Sequence, residues 1–454
     1  LEAIFGADGL LTDPADCWAY GYDNSRRHAL PQAVAFAADP EQVREITMLC
    51  NRHGINLLGR GRGTGTTGAT VPDRGGVVLS FERMTRILEI NPDDRLAVVQ
   101  PGTTNDALQQ AVGAHGFFWP PDPTSSAVCT LGGNLAYNSA GPRAVKYGTP
   151  RENTLGLKAV TGGGVEIRTG VRTTKGVVGY DLTRLLVGSE GTLALITEAT
   201  LRLTPLPETT RTLQGVYAGM EAAATAVAAI MAQPVVPCAL EFMDGAAIDL
   251  VRDYAGLELP ETAGALLMIE VDGPADCIDR AVTSVQAAAK VAGLIELHVA
   301  TGETEVDRLW KARRALSPAL RKAAPRKINE DVAVPVSRMP AFMAGLEALG
   351  RRHRIDIVNF GHAGNGNIHV NLLVDPQDRP QMTRAEACLG EVFQLVLDMQ
   401  GTLSGEHGVG LEKRDFVARE IQPDTLALMH AIKRQFDPNG ILNPGKGLPE
   451  PSGP

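Results

Sequence analysis

Two short stretches carry residues that could do chemistry together. The first runs from Asp356 to Leu373 and contains Gly361-His362-Ala363-Gly364-Asn365-Gly366-Asn367-Ile368-His369. Asn365-Gly366 between alternating apolar residues is a strong hairpin signal. A two-residue loop there predicts His362 directly opposite His369, with Cβ atoms about 4.5–5.5 Å apart. Two imidazoles at that spacing can hold one cation, with bonds of about 2.0–2.1 Å. Alternation puts Asn367, His369 and Asn371 on a polar face, and Ile368, Val370 and Leu372 against a core. The second stretch is Ser404-Gly-Glu-His-Gly-Val-Gly410. Glu406 and His407 are neighbours, so their side chains diverge in extended chain. One can ligate a metal while the other meets a substrate. Two histidines and a carboxylate leave coordination positions open, as catalytic metal sites do.

Two further patterns point to anion binding. Between Leu57 and Thr70, Gly59, Gly61, Gly63, Gly65 and Gly68 alternate with arginines and threonines. Glycines let the backbone take positive φ, and successive inward N–H groups form a concave anion site. The expected guest is a pyrophosphate, held by Arg60, Gly61, Arg62, Gly63, Thr64, Gly65 and Thr66. No amphipathic helix follows, so this is not the dinucleotide fingerprint of a βαβ unit. On the predicted helix Glu305 to Ala324, interrupted by Pro318, residues Trp310, Arg313 and Ser317 share a face. An arginine beside a hydroxyl suits a carboxylate. Arg308, Lys311, Arg314 and Arg321 share that helix, so a solvent-facing arginine is the competing reading.

The elements that must position these groups follow from the order of the chain. Residues 1–27 read as a helical lead-in with a turn at Thr12-Asp13-Pro14. A strand from Ala33, a helix Pro40 to Gly54 and the strands Ile55 to Leu58, Gly76 to Phe81 and Leu96 to Gln100 follow. Thr103 or Thr104 caps a helix from Asn105. The small residues of Leu131 to Gly141 would let a flat ring system lie against backbone, although close helix packing selects the same residues. Pro205-Leu206-Pro207 marks a domain boundary. Beyond it, strands at Arg211, Ala239 and Gly264 alternate with helices Met220 to Met231 and Asp276 to Val291. That pattern implies an antiparallel sheet with helices packed on one face. The expected fold class is α+β. Its expected divisions are the lead-in 1–27, a first domain 28–206, a second 207–430 and a returning segment 431–454 whose end, 448–454, is disordered.

Composition bounds the function. A chain of 454 residues implies two or three domains. A net charge of −9 with no basic run argues against nucleic-acid binding. No apolar stretch approaches the roughly 18 residues of a membrane span. Six scattered cysteines without CxxC spacing imply free thiols in a reducing cytoplasm. The first residue is Leu1 rather than Met, which fits removal of an upstream segment.

Several motifs occur in one order: Gly59-Arg-Gly-Arg-Gly-Thr64, Pro101-Gly102, Pro121-Asp122-Pro123, Gly132-Gly133-Asn134, Tyr147-Gly148 and Leu185-Leu-Val-Gly-Ser-Glu-Gly-Thr192. Together they resemble the FAD-binding domain of the vanillyl-alcohol oxidase superfamily. Within it, the chain resembles the FAD-linked D-2-hydroxyacid dehydrogenases, which include D-lactate and D-2-hydroxyglutarate dehydrogenases and the glycolate oxidase flavin subunit. The likeness covers roughly residues 28 to 447. It implies a two-subdomain FAD-binding domain and a cap domain whose antiparallel sheet is covered by helices. It places Pro101, Gly102, Pro121, Asp122, Gly132, Gly133, Asn134, Asn138, Tyr147, Gly148, Gly188, Glu190, Gly191 and Ile196 along the FAD. Asn443 and Lys446 come from the returning segment. Relatives with covalent flavin carry a histidine in or beside the first loop, and here none follows His53, so the FAD is expected to be non-covalent. Gly141-Pro142-Arg143 departs from the pattern, which has a second glycine there.

The resemblance also assigns His362, His369 and Glu406 as ligands of a divalent metal, zinc first with manganese or iron as alternatives. It makes His407 the base, and gives Arg313 and then Ser317 to the substrate carboxylate. The implied reaction is oxidation of a D-2-hydroxy acid to the 2-oxo acid. The metal lowers the hydroxyl pKa, His407 takes the proton and hydride goes to flavin N5. In relatives that oxidise dicarboxylates, a lysine stands two residues before the Asp-x-x-x-Pro run. Here that run is Asp331 to Pro335 and the position is Asn329, which favours D-lactate-like monocarboxylates. Lys327, two residues earlier, could take the role, and Asn371 shares the polar face. The rivals are a non-redox flavoenzyme resembling alkyl-dihydroxyacetonephosphate synthase and a flavin subunit of a multi-chain glycolate oxidase. The partners expected are the hydroxy acid and an electron acceptor (quinone, cytochrome or electron-transfer flavoprotein). A homodimer and peripheral association with the inner membrane stay open.

Overall fold

Apolar β runs and capped helices of the sequence fold into two compact units in the computed structural model, which describes residues 1–255 and 259–450. The first unit comprises residues 1–141, 148–206 and 406–450, and the second residues 142–147, 207–255 and 259–405.

The first unit holds two larger sheets and a two-stranded ribbon of Phe117–Phe118 and Thr204–Pro205. In one, the strands Leu10–Leu11, Ala33–Phe36, Val77–Ser80 and Leu57–Arg60 lie side by side, the last three parallel. The helix Pro40–His53 joins two of them; Asp39 caps its start and Gly54 ends it in the left-handed conformation. The other sheet is antiparallel, in the order Ile87–Asn91, Leu96–Val99, Ala194–Arg202, Thr154–Thr161, Glu166–Gly170. The lead-in is less helical than its sequence implies. Two one-turn helices, Glu2–Phe5 and Pro14–Cys17, flank a strand that extends the first sheet. The turn at Asn91-Pro92 closes a hairpin whose first strand, Ile87–Asn91, the sequence reading did not contain.

The second unit is built on a seven-stranded antiparallel sheet. Its order is Leu294–Val299, Thr209–Tyr217, Ala265–Gly273, Ala239–Asp244, Asp356–His362, Asn367–Val374, Arg326–Ala333. Helices cover both faces, not one. Gly245–Ala255 and Glu303–Ala323 bury Val216, Leu266, Met268, Val358 and Phe360 on one side. Tyr217 donates to Ala289 at the end of helix Ile278–Ala289, and Gly350 of Met339–His353 lies against Ile357. Coverage on both faces explains the unbroken run Ala-Leu-Leu-Met-Ile in the central strand, since neither face meets water. The helix Glu303–Ala323 runs through Pro318 as one element.

Domain limits differ from the sequence reading at two places. Residues 406–430 group with the first unit because Glu190 accepts from Val409 and Gly410 N–H, and Thr67 O accepts from Leu411 N–H. Residues 142–147 group with the second because Lys146 and Tyr147 are both tied to Asp272. Of the tail expected to be disordered, Leu448–Glu450 are placed and Glu450 pairs with Arg74, while 451–454 lie outside the described residues.

Candidate active site

In the first unit, the strand Leu57–Arg60 delivers the glycine-rich loop. Gly63 and Gly68 take positive φ, as the anion-cradle reading requires. Among the described residues, none of the backbone N–H groups from Gly61 to Thr67 donates to another group of the protein. A run of open N–H donors in a glycine-rich loop is what an anion cradle offers. Both arginines of the loop also have protein partners. Arg60 is buried, its Nη1 donates to Tyr22 O at 2.8 Å, and its guanidinium lies over Tyr20. Arg62 pairs with Glu82 at 3.3 Å. The lead-in shapes the loop: Asp23 accepts from Gly68 N–H, and Asn24 donates to Gly65 O and Thr64 O.

Beside the loop lies a cleft. Arg60, Gly61, Pro101, Gly132, Gly133, Glu190, Gly191 and Ile196 line it, all expected along the cofactor. Thr130, Tyr137 and Ser189 line it too and were not anticipated. A Cβ at Gly65 would lie 2.5 Å from the Tyr137 hydroxyl, and one at Gly132 would lie 2.6 Å from Pro101 Cβ. The loop at Gly65 thus lies against the Tyr137 side chain, and Gly132 lies against Pro101. A flat cofactor with a pyrophosphate fits this cleft and its open N–H run.

Other expected cofactor residues have structural partners. Asn134 is buried against Cys129 and Asn105. Asn138, in the left-handed region, accepts from Thr149 Oγ1 and Arg151 N–H. Gly102 packs against Phe81 O, and Asp122 N–H donates to Ala140 O. Asn443 ties the returning segment to Ala69 O and Glu190 O, and Lys446 pairs with Asp73. Tyr147 belongs to the second unit, where its hydroxyl donates to Asp272 at 2.7 Å. Burial raises the Glu190 carboxyl above its usual range, against the two N–H groups it accepts from. Glu406 belongs to the first unit, where its carboxylate accepts from Ala140 and Gly141 N–H at 3.3 and 2.7 Å. His407 O accepts from Thr67 Oγ1 at 3.4 Å.

In the second unit, one corner of the sheet is polar and buried. The hairpin register differs from the expected one. His362 pairs with Asn367, and His369 with Phe360. The loop is longer because Ala363–Asn365 forms a helical turn that Gly366 closes with positive φ. The imidazoles therefore meet on the diagonal, with ring centroids 5.4 Å apart at 84°. Each has a carboxylate beside its Nδ1. Glu241 Oε1 is 2.6 Å from His362 Nδ1, and Asp331 Oδ1 is 3.7 Å from His369 Nδ1. Buried, close and backed by carboxylates, the pair has the donor chemistry of a divalent-metal site.

Arg313 reaches the same corner. Its Nε donates to Glu241 Oε2 at 2.7 Å, and its guanidinium lies 4.8 Å over the Phe360 ring. Burial opposes the charge on Glu241, but His362 and Arg313 outweigh it and hold the carboxyl below its usual range. Nothing in the sequence reading pointed to Glu241; an acid inside the apolar run Ala239–Asp244 is the signal that could have. Ser317 lies 3.4 Å from Lys327 Nζ, and Trp310 donates to Glu270. Lys327, Asn329 and Asp331 alternate along the edge strand on one face, with Asn329 opposite Asn371. Asn371 is fully buried; its amide N–H groups go to Val358 O and His369 O, and its Oδ1 has no protein partner.

Comparison with known proteins bears on this arrangement. Residues 31–170 match the model of an FAD binding domain, and residues 206–447 match that of the C-terminal domain of FAD linked oxidases. The chain belongs to the FAD-linked oxidase family. A relative of this FAD-linked oxidase is the glycolate oxidase subunit GlcD of Bacillus subtilis (strain 168), 39% identical over 447 residues, 98% of this chain and 95% of that one. Another is the D-lactate dehydrogenase of Archaeoglobus fulgidus, 36% identical over 442 residues, 95% and 96%. The fold matches that of p-cresol methylhydroxylase with a TM-score of 0.81 at 19% identity, covering 100% of this chain and 96% of that one. The FAD-linked oxidase is thus an FAD-dependent oxidoreductase with the vanillyl-alcohol oxidase fold. Among its described residues, no helix is long and apolar enough to cross a membrane.

Proposed function

We propose that this FAD-linked oxidase converts a D-2-hydroxy acid, D-lactate-like in size, to its 2-oxo acid with the help of a divalent metal. The observation that carries the reading is the buried corner of the second unit, where two imidazoles and an arginine stand on one sheet face. His362 and His369 would hold the cation, zinc being the first choice for a nitrogen-rich set. The cation would polarise the substrate hydroxyl, and bound FAD supplies the two-electron acceptor. Arg313 binds the substrate carboxylate through its terminal amino groups, because Nε is committed to Glu241. The motif match in Ser404–Gly410 adds Glu406 as a ligand and His407 as the base that takes the hydroxyl proton. The name of the B. subtilis relative describes it as a subunit, which supports a partner chain or separate electron acceptor for this protein as well.

Anaerobic mixing with D-lactate tests the reading. Bleaching of the flavin absorbance is expected, along with loss of turnover on chelation while FAD stays bound. A flavin unchanged by every D-2-hydroxy acid overturns the dehydrogenase assignment. Full turnover in metal-free protein overturns the metal.

A further inference from the structure

We infer that Glu241 is a positioning residue that sets both the metal-binding histidine and the substrate-binding arginine, an inference that rests on the roles proposed above for His362 and Arg313. Glu241 sits in the strand Ala239–Asp244, directly across from His362 on the neighbouring strand, and is 1% exposed. One carboxylate oxygen takes His362 Nδ1 at 2.6 Å and the other takes Arg313 Nε at 2.7 Å.

Each contact fixes a choice. With Nδ1 against the carboxylate, the ring presents Nε2 as its ligand atom, the orientation that outer carboxylates impose on metal-binding histidines. With Nε bound and Phe360 under its plane, Arg313 cannot rotate its fork and offers only the two terminal amino groups. Glutamate is disfavoured in strands, and burying a charge is costly unless it is paired. Met243, two residues on and on the same face, is buried in the apolar core with Phe360, so packing alone would place an apolar residue here. The acid is explained by the two side chains it orients. Because they share one carboxylate, the distance between cation and substrate carboxylate is set by a single residue.

The test uses the full-length, FAD-loaded protein and three variants, with zinc affinity by chelator competition and separate kcat and KM for D-lactate. FAD content and melting temperature report folding. Arg313→Met should raise KM and leave zinc affinity unchanged. The double variant Glu241→Met/Arg313→Met removes both charges at similar volume, so no lone charge is buried. It should weaken zinc binding roughly 10- to 100-fold. Glu241→Gln, whose amide oxygen still accepts from Nδ1, should keep most of the affinity lost in the double variant while KM rises. Zinc binding in the double variant equal to that of the wild type overturns the inference and leaves the metal reading standing. So does an Arg313→Met variant that loses as much affinity as the double one. Wild-type protein that binds no zinc overturns both.

Discussion

His369 faces Phe360 across the hairpin, while His362 faces Asn367, so the two imidazoles approach each other diagonally and edge to face. Diagonal neighbours are farther apart than direct ones but remain within reach of long side chains. His369→Ala should therefore remove one ligand without disturbing Glu241 and its partners. Zinc content should fall and the FAD spectrum should stay. Loss of FAD together with zinc would show that the variant has damaged more than the site.

The open N–H run from Gly61 to Thr67 and the glycines that admit it make a specific claim about flavin retention. Gly65→Ala places a methyl 2.5 Å from the Tyr137 hydroxyl and should lower FAD occupancy. Gly65→Ala/Tyr137→Phe removes the clashing oxygen and should recover part of it. Equal FAD content in Gly65→Ala and wild-type protein, measured by absorbance ratio, would contradict the close approach.

Among the described residues, no histidine or cysteine lines the cleft. Acid precipitation should therefore leave the flavin in the supernatant as intact FAD. Flavin that stays with the pellet would reveal a covalent bond.

On the proposed function, substrate size depends on the edge strand. Asn329 and Asn371 set two neutral amides opposite each other, and Lys327 is engaged near Ser317. A second carboxylate would lack a charge-assisted bond, typically worth about 1.5–3 kcal/mol, or roughly a 10- to 150-fold preference. D-Lactate and D-2-hydroxybutyrate should exceed D-2-hydroxyglutarate in kcat/KM by that order. A preference for the dicarboxylate that disappears in Lys327→Ala would reverse the assignment.

Asp244 links stability to pH. It accepts from Ala247 N–H at the start of the helix Gly245–Ala255 and from both the backbone and side chain of Asn359. Burial, outweighing these bonds, raises its carboxyl to about 6 from an ordinary 3.8. A raised acid pKa means that the folded state holds the proton longer, so stability is lost as pH rises from about 4 to about 6. The shift corresponds to about 3 kcal/mol. Asp244→Asn should be flatter over that range than wild type in denaturant titrations. Parallel curves would show that the burial penalty is not realised.

Much of this was legible in the sequence because local rules decide it. Thr104 caps its helix as its hydroxyl predicts, Met220–Met231 forms the helix its apolar spacing demands, and the glycine loop leads into no helix. Contacts between residues far apart in the chain decide the rest. That the arginines of the loop also meet Tyr22 and Glu82 could not be read from the loop itself. The hairpin register depended on whether Ala363–Asn365 would coil into a turn, which the Asn-Gly pair does not settle. Glu241 was hidden because its meaning lies in two side chains from 72 and 121 residues away.

The FAD-binding unit also has a timing written into its connectivity. Leu57, at the head of the glycine loop, bonds Ile441 O and Asn443 N–H, and the Asn443 amide joins Ala69 to Glu190. These ties come from residues synthesised long after the loop itself has emerged. Domains generally fold as units during synthesis, amino terminus first, but this one must wait for residues 441–443. A nascent chain halted before residue 441 would carry the glycine-rich loop without these ties to hold it.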